Sequence, residues 1–439
     1  MGSIQALRGT RDILPEEVGY WQQVEAIARQ ILYTAAYQEI RPPIFERTEL
    51  FERGIGEATD VVGKEMYTFN DRATPPRSVT LRPEGTAGVV RAFIQNSLYA
   101  SGGVQRLWYT GPMFRYENPQ AGRQRQFHQL GVEVIGSADP RADAEVIALA
   151  TDILQNLGLK NLKLDLNSVG NVEDRHQYRQ ALVDYLTPYK DELDSDSQER
   201  LSRNPLRILD SKDKRTQEIA EAAPSILDYL GEYSQRHFEQ VQQLLSALGI
   251  SYQLNPRLVR GLDYYTHTAF EIISDDLGAQ ATVCGGGRYD GLVKELGGTE
   301  TPAVGWAIGL ERLVLLLQQL SEPPRQVLDF YVVSRGEVAE AQALQLAQKL
   351  RQAAFVVELD LSGSAFGKQF KRADRSGAVA CLVLGDAEAE SKTVNLKWLK
   401  SGEQQAIAQA DLLEKTDELR HQIDSFKQRN RVCPHPQRQ

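Results

Sequence analysis

A chain of 439 residues is longer than one hydrophobic core usually organises, so two or three domains are expected. Its 41% apolar and 25% charged residues are ordinary for a globular protein in water, and no apolar run approaches a membrane span. A net charge of −9 argues against an indiscriminate nucleic-acid coat, and three distant cysteines (Cys284, Cys381, Cys433) match neither a zinc site nor a disulfide framework.

In chain order, residues 16–36 predict an amphipathic helix with Val18, Trp21, Val24 and Ala28 on its apolar stripe. Pro42 and Pro43 exclude a central ladder position, so the stretch around 40–45 predicts an edge or interface strand. A strand at 79–82 stops at Pro83, and a helix follows over about 85–97. Residues 106–115 and 127–135, joined by a loop rich in glycine and arginine, read as two antiparallel strands. A helix at about 142–157 and an alternating strand at 162–166 come next. Residues 171–249 are charged, mostly helical and poor in motifs, as an inserted subdomain would be. Strand patterning returns at 266–273, 281–284 and 304–308, the last running into a helix from about 310.

Ser321-Glu322-Pro323-Pro324-Arg325 predicts a linker. Beyond it, strands at 328–333, 355–359, 378–384 and 392–398 alternate with helices at 337–353, 366–375 and 410–427. That is a separate α/β domain of ordinary size, 326–426, followed by a loose tail at 427–439. The start, Met1-Gly2-Ser3-Ile4-Gln5, lacks a signal-peptide core, so a reducing, cytoplasmic setting is expected.

Alternation along the 127–135 strand puts Phe127, Gln129, Gly131 and Glu133 on one face, with Leu130, Val132 and Val134 on the other. The first set spans roughly 20 Å at about 3.3 Å per residue, the scale of a nucleotide joined to an amino acid. Gly131 is expected to leave a gap for a ligand lying on the sheet. A half-exposed strand with polar residues facing water is the plainer reading of the same pattern. Arg115 ends the first hairpin strand, Arg260 opens a later loop, and Arg312 falls in the first turn of a helix. Three guanidinium groups beside glycine-bearing strand ends point to a polyphosphate substrate. Two further segments, Arg260-Gly261-Leu262-Asp263-Tyr264-Tyr265-Thr266 and Cys284-Gly285-Gly286-Gly287-Arg288-Tyr289-Asp290-Gly291, each mix a cation, tyrosine hydroxyls and bare backbone. That mixture suits a small, charged, planar ligand, and neither segment has a phosphate-cradle glycine spacing.

Tyr109-Thr110-Gly111-Pro112-Met113-Phe114-Arg115-Tyr116-Glu117, with Arg125-Gln126-Phe127-His128-Gln129, resembles the second motif of class II aminoacyl-tRNA synthetases. Gly305-Trp306-Ala307-Ile308-Gly309-Leu310-Glu311-Arg312-Leu313 resembles the third, and the proline segment at 40–45 the first. The two tyrosine- and glycine-bearing segments resemble signatures particular to the histidyl-tRNA synthetase family. The resemblance covers nearly the whole chain and is weakest in 171–249 and the tail. It implies an α+β catalytic domain over 1–325, built on an antiparallel sheet with a helical insertion, and an α/β anticodon-binding domain over 326–426.

That resemblance also implies roles. The activity would be ATP-dependent activation of L-histidine and its transfer to tRNA(His), by a homodimer, with Mg2+ accompanying ATP. Arg115 would hold the α-phosphate and Arg312 the γ-phosphate, with Arg260 between carboxylate and α-phosphate and Phe127 stacked on adenine. Glu84, Thr86 and Gln129 would contact the α-ammonium. Neutral imidazole offers one N–H donor and one bare nitrogen, which Glu133 and a hydroxyl of Tyr264 or Tyr265 can serve. Gly285, Gly286, Gly287 and Tyr289 would wall the pocket, with Arg288 structural. Each has a plainer reading: Glu84 as a helix-start carboxylate, Thr86 as a cap, the tyrosines as packed aromatics, the glycines as a turn. The loop 116–126 would meet the RNA acceptor end. The basic stretch 363–375 lies in a segment, 362–400, with seven Lys/Arg against four Asp/Glu, and would track phosphates. A different class of reading is a non-catalytic paralogue regulating ATP phosphoribosyltransferase, which usually lacks the C-terminal domain and the reactive arginines.

Overall fold

The computed structural model describes residues 3–431 except 57, 58, 60, 121, 276–281 and 324–326. The chain divides into two compact units, Met1–Pro324 and Arg325–Gln439.

The first unit is organised by an eight-stranded sheet. Across it run Gln38–Glu39, Gln105–Phe114, Gln126–Ile135, Ala303–Gly309, Thr282–Arg288, Thr266–Ser274, Leu162–Ser168 and Gln253–Leu254. The six longer strands pair antiparallel; the two-residue strands at the rims run parallel to their neighbours, so the sheet is mixed at its edges. Gln38–Glu39 stays at the rim because Pro42 and Pro43, just beyond it, cannot continue a ladder. Leu130, Val132, Val134, Trp306 and Ile308 are buried in one core with Trp21, Val24 and Ala28 of the helix Pro15–Thr34 and Ile147, Ala150 and Leu154 of the helix Pro140–Asn156. Each of the larger aliphatic side chains contributes about 1.5–3 kcal/mol on full burial, so this face fixes the strand parity and with it which residues face the other way. Asp139 caps the second helix by accepting from the Arg141 N–H.

Between Leu162–Ser168 and Gln253–Leu254 the chain forms the helices Val172–Leu186, Ser195–Arg203, Lys214–Glu221 and Glu232–Ala247. The last is part of the main core, where Phe238, Val241 and Leu245 are buried. Asp174 ties the two ends of this segment. It closes a capping box with Asn171 and accepts from the Gly231 N–H at 2.9 Å. A three-stranded sheet of Phe45–Arg47, Ser78–Leu81 and Tyr67–Asn70 stands apart. Tyr67–Asn70 carries no sequence signal beyond its pairing, since three of its four residues are exposed.

In the second unit the sheet order is Val357–Leu359, Phe330–Ser334, Ala380–Leu384, Thr393–Trp398 and Gln404–Ala408, parallel across the first three and antiparallel thereafter. Three features differ from the sequence expectation. Gln404–Ala408 is a strand, the helix Asp386–Ser391 is additional, and 410–427 breaks at Lys415 into Gln409–Glu414 and Thr416–Arg431. Gln404–Ala408 has one large apolar residue, Ile407, and sits exposed at the edge, so backbone pairing rather than side-chain alternation makes it a strand. Among the described residues, no helix is long and apolar enough to cross a membrane.

Candidate active site

Arg115, Arg260 and Arg312, which lie up to 197 residues apart in the chain (312 − 115), line one cavity of about 570 Å³. Phe127 and Gln129 open onto it from the sheet, together with Glu84, Thr86, Tyr264, Tyr265 and Tyr289.

Each cation is fixed differently. Arg115 donates from Nε to the Pro83 carbonyl at 2.9 Å, and its guanidinium sits 5.4 Å from the centre of the Phe127 ring. Arg312 is in the first turn of the helix Leu310–Leu320, where unpaired N–H groups already favour an anion. It donates from Nη1 to the Thr282 carbonyl at 2.8 Å. Burial, and then the repulsion of Arg123, pulls its pKa below the ordinary value. Arg260 pairs with Glu271 and lies over the Tyr265 ring at 5.7 Å. Burial alone would lower the Arg260 pKa, but the Glu271 carboxylate together with the Tyr265 and Tyr264 hydroxyls outweighs it and holds the group above its ordinary value. A Cβ on Gly285 would overlap this guanidinium, so the bare backbone there is what admits Arg260.

The acceptors cluster at the other side. The Glu84 carboxylate accepts from the backbone N–H groups of Thr86 and Ala87, at 2.7 and 2.8 Å, and so caps the helix Thr86–Gln95 while lining the cavity. The helix-start reading of Glu84 is thus realised, and the same carboxylate also faces the cavity. Burial raises its pKa, against the pull of those two N–H bonds. Thr86 Oγ1 donates to Glu133 at 2.7 Å, and the Tyr289 hydroxyl donates to the other Glu133 oxygen. Glu133 is 1% exposed and pushed up to about 8, mainly by burial, with the Tyr289 and Thr86 bonds pulling the other way. It lies beneath the bare Gly305, where a Cβ would overlap the carboxylate. Gln129 Oε1 is buried without a hydrogen-bond partner, an acceptor aimed at something the protein does not supply. Tyr264 and Tyr265 are buried with ring centroids 4.7 Å apart, and Tyr264 meets Tyr289 edge-on at 5.6 Å.

Some expectations change. The gap over Gly131 is filled: Tyr109, its direct partner on the neighbouring strand, lays its ring where the Cβ would be. Gly285, Gly286 and Gly287 form strand rather than turn; Gly285 lines the cavity while Gly286 backs onto Trp306. His128 packs edge-on against Trp21 at 5.0 Å and bonds Glu311, in keeping with its parity. Arg288 is buried in an ion pair with Asp143, away from the cavity.

A scan against family models matches residues 9–313 to histidyl-tRNA synthetase and residues 329–419 to an anticodon-binding domain. A relative from Gloeothece citriformis, named histidine–tRNA ligase, is 75% identical over 428 residues, covering 98% of this chain and 99% of the relative. This chain belongs to the histidyl-tRNA synthetase family. The crystal structure of the apo histidyl-tRNA synthetase of S. aureus is similar with a TM-score of 0.78 at 41% identity, over 94% of this chain and 99% of that one. A Bacillus halodurans structure described as an ATP phosphoribosyltransferase regulatory subunit/histidyl-tRNA synthetase shares the fold, with a TM-score of 0.63 at 22% identity over 85% of this chain and 97% of that one.

Within the histidyl-tRNA synthetase frame, the second and third motifs and both tyrosine- and glycine-bearing segments reach the cavity, whereas the proline segment at 40–45 does not, and these segments do not exhaust its wall. Tyr109, Glu271 and, from the charged inserted segment, Arg207, Asp210 and Lys212 also line it. Tyr109 opens the second-motif segment, but its place over Gly131 follows only from the hairpin register. Glu271 carries no motif, and only the strand pairing that sets it opposite Gly285 brings it to the cavity. Arg207, Asp210 and Lys212 lie in a stretch without periodicity or motif, and no local signal separates them from ordinary surface charge.

Proposed function

We propose that the chain activates L-histidine with ATP to histidyl-adenylate and diphosphate, then transfers histidine to the 3′ end of tRNA(His), releasing AMP. In the first step the histidine carboxylate oxygen bonds to the α-phosphorus and the bond to the diphosphate oxygen breaks. In the second, the terminal ribose hydroxyl attacks the activated carbonyl and AMP leaves. The observation that carries this reading is the convergence of Arg115, Arg260 and Arg312 on one cavity with the Glu84 and Gln129 acceptors, with Glu133 held just behind its wall by Thr86 and Tyr289. Negative charge gathers on phosphorus oxygens in the transition state, so preplaced cations lower the barrier more than a general base would.

In this reading Arg115 binds the α-phosphate, Arg312 the γ-phosphate and Arg260 the junction of carboxylate and α-phosphate, with Phe127 against adenine. Glu84, Thr86 and Gln129 receive the α-ammonium; the orphaned Gln129 oxygen is an acceptor of the right kind. Glu133, with Tyr264 or Tyr265, serves the two imidazole nitrogens, and a site built for both bonds rejects isosteres lacking either. No cluster of three or more metal-binding side chains is present among the described residues. Glu84, Glu271 and Glu311 are each engaged with protein donors. The donor set fits a triphosphate better than a resident metal, so Mg2+ belongs to ATP as its counter-ion and no step here runs through it.

The helix Phe366–Ser376 presents Lys368, Lys371 and Arg375 on its exposed side, while Arg372 is occupied by Asp360. The exposed cations are proposed to track the RNA backbone. A homodimer in the cytoplasm completes the proposal. The regulatory-paralogue reading leaves the three cavity arginines and the second unit without a task. Histidine-dependent exchange of pyrophosphate into ATP tests the activation step, and tRNA(His) charging tests the second. A chain truncated after Glu322 should retain exchange and lose charging. Failure of exchange in the intact chain would reject the enzyme reading.

A further inference from the structure

We infer that Glu271 is a positioning residue for activation, clamping Arg260 at the place where histidine carboxylate and α-phosphate meet; this rests on the activation reading above. Arg260 comes from the loop before the strand Thr266–Ser274, so no regular backbone pairing fixes where its long side chain ends. An arginine left free there would lose rotamer freedom at every turnover before it could act. The structure removes that freedom in advance. Glu271 holds one guanidinium nitrogen, and the Tyr265 ring lies 5.7 Å from the guanidinium carbon. Across the ladder from Glu271 stands Gly285, whose bare backbone gives the guanidinium its seat.

The clamp is itself anchored. The second Glu271 oxygen accepts from Thr282 Oγ1 at 2.8 Å, so the carboxylate is held from both ends across two adjacent strands. Both members of the pair are largely buried, at 17% and 21% exposure, and both line the cavity. A carboxylate beside a site for two anions opposes their binding through simple repulsion. Its presence there is explained by orientation: it aims the cation while the Arg260 Nε, buried and without a partner, stays unspent. Glu271 touches no reacting atom in this account. It acts through Arg260.

The test is a double-mutant cycle read by steady-state pyrophosphate exchange. Glu271→Gln should lower kcat about tenfold or more, with KM for histidine and ATP within about twofold of wild type. Thr282→Val should lower kcat by a smaller factor in the same pattern. On an Arg260→Ala background, Glu271→Gln should add almost nothing, because its route to the chemistry is already cut. Thermal unfolding midpoints establish that the variants are folded; if Glu271→Gln does not fold, Thr282→Val and its Arg260→Ala double carry the cycle. Additive losses, or a rise in KM matching the fall in kcat, would overturn the inference while leaving the activation reading intact. A wild-type chain without histidine-dependent exchange would overturn both.

Discussion

Two arginine–carboxylate pairs occupy opposite faces of the same sheet, and they are built for different ends. On the helix-covered face, Arg288 is 1% exposed and saturated. It donates to both Asp143 oxygens, to the Ser137 carbonyl at 2.7 Å and to Asp290 at 3.2 Å. Burial would push Asp143 up, but Arg288 and His237 together more than offset it and hold the carboxyl well below the usual range. On the cavity face, Arg260 has one carboxylate partner, an aromatic ring and a buried Nε without an acceptor. A guanidinium has five N–H donors, and the difference lies in how many the protein has already claimed. A saturated one holds structure together; an unsaturated one is ready for a ligand.

The largest effect should come from breaking the saturated pair. Arg288→Met leaves Asp143 buried with only His237 beside it at 3.5 Å, and urea unfolding should show a loss of about 3–5 kcal/mol. Stability within 1 kcal/mol of wild type would mean the pair contributes little. Arg260→Ala should do the reverse: exchange slowed about 10²–10³-fold with a nearly unchanged unfolding midpoint. A large stability loss there would erase the contrast between the two faces. Glu133→Gln should weaken histidine binding about tenfold or more in calorimetry, with ATP affinity retained.

Protonation sharpens that third case. The Glu133 carboxyl is raised to about 8, so between its unfolded value near 4.5 and 8 only the native state keeps the proton. Stability therefore falls as pH rises through that window, and Glu133→Gln should gain on wild type in urea midpoints at pH 8 relative to pH 5. A pH-independent difference would show that Glu133 is already ionised. The smallest effect is expected from Gly285→Ala, which crowds the end of a long side chain rather than backbone. Exchange should slow several-fold with stability within about 1 kcal/mol. No change in rate would argue that Arg260 does not need its seat.

Much of this site could be read from residue types and spacing, and the reasons are physical. The faces of Gln126–Ile135 followed from a period of two, because a strand that buries Leu130, Val132 and Val134 has no choice about where Phe127, Gln129 and Glu133 go. Arg115, Arg260 and Arg312 were recognisable because each stands in a motif. What escaped depends on pairing or on distance. Tyr109 over Gly131 needs the hairpin register, and Gln404–Ala408 is a strand only because Thr393–Trp398 accepts it. Arg207 and Lys212 reach the cavity through the tertiary path of the inserted helices, which no local pattern encodes.

The ring of Tyr109 resting on Gly131 has one more implication. The depth of the cavity at that point is set by two neighbouring strands locked in alignment, with main chain as the floor and one phenol as the plug. Anyone hoping to redesign the enzyme for a bulkier or slimmer amino acid should therefore begin with that plug. Enlarging the glycine beneath it would evict the ring or shift the hairpin before it altered preference.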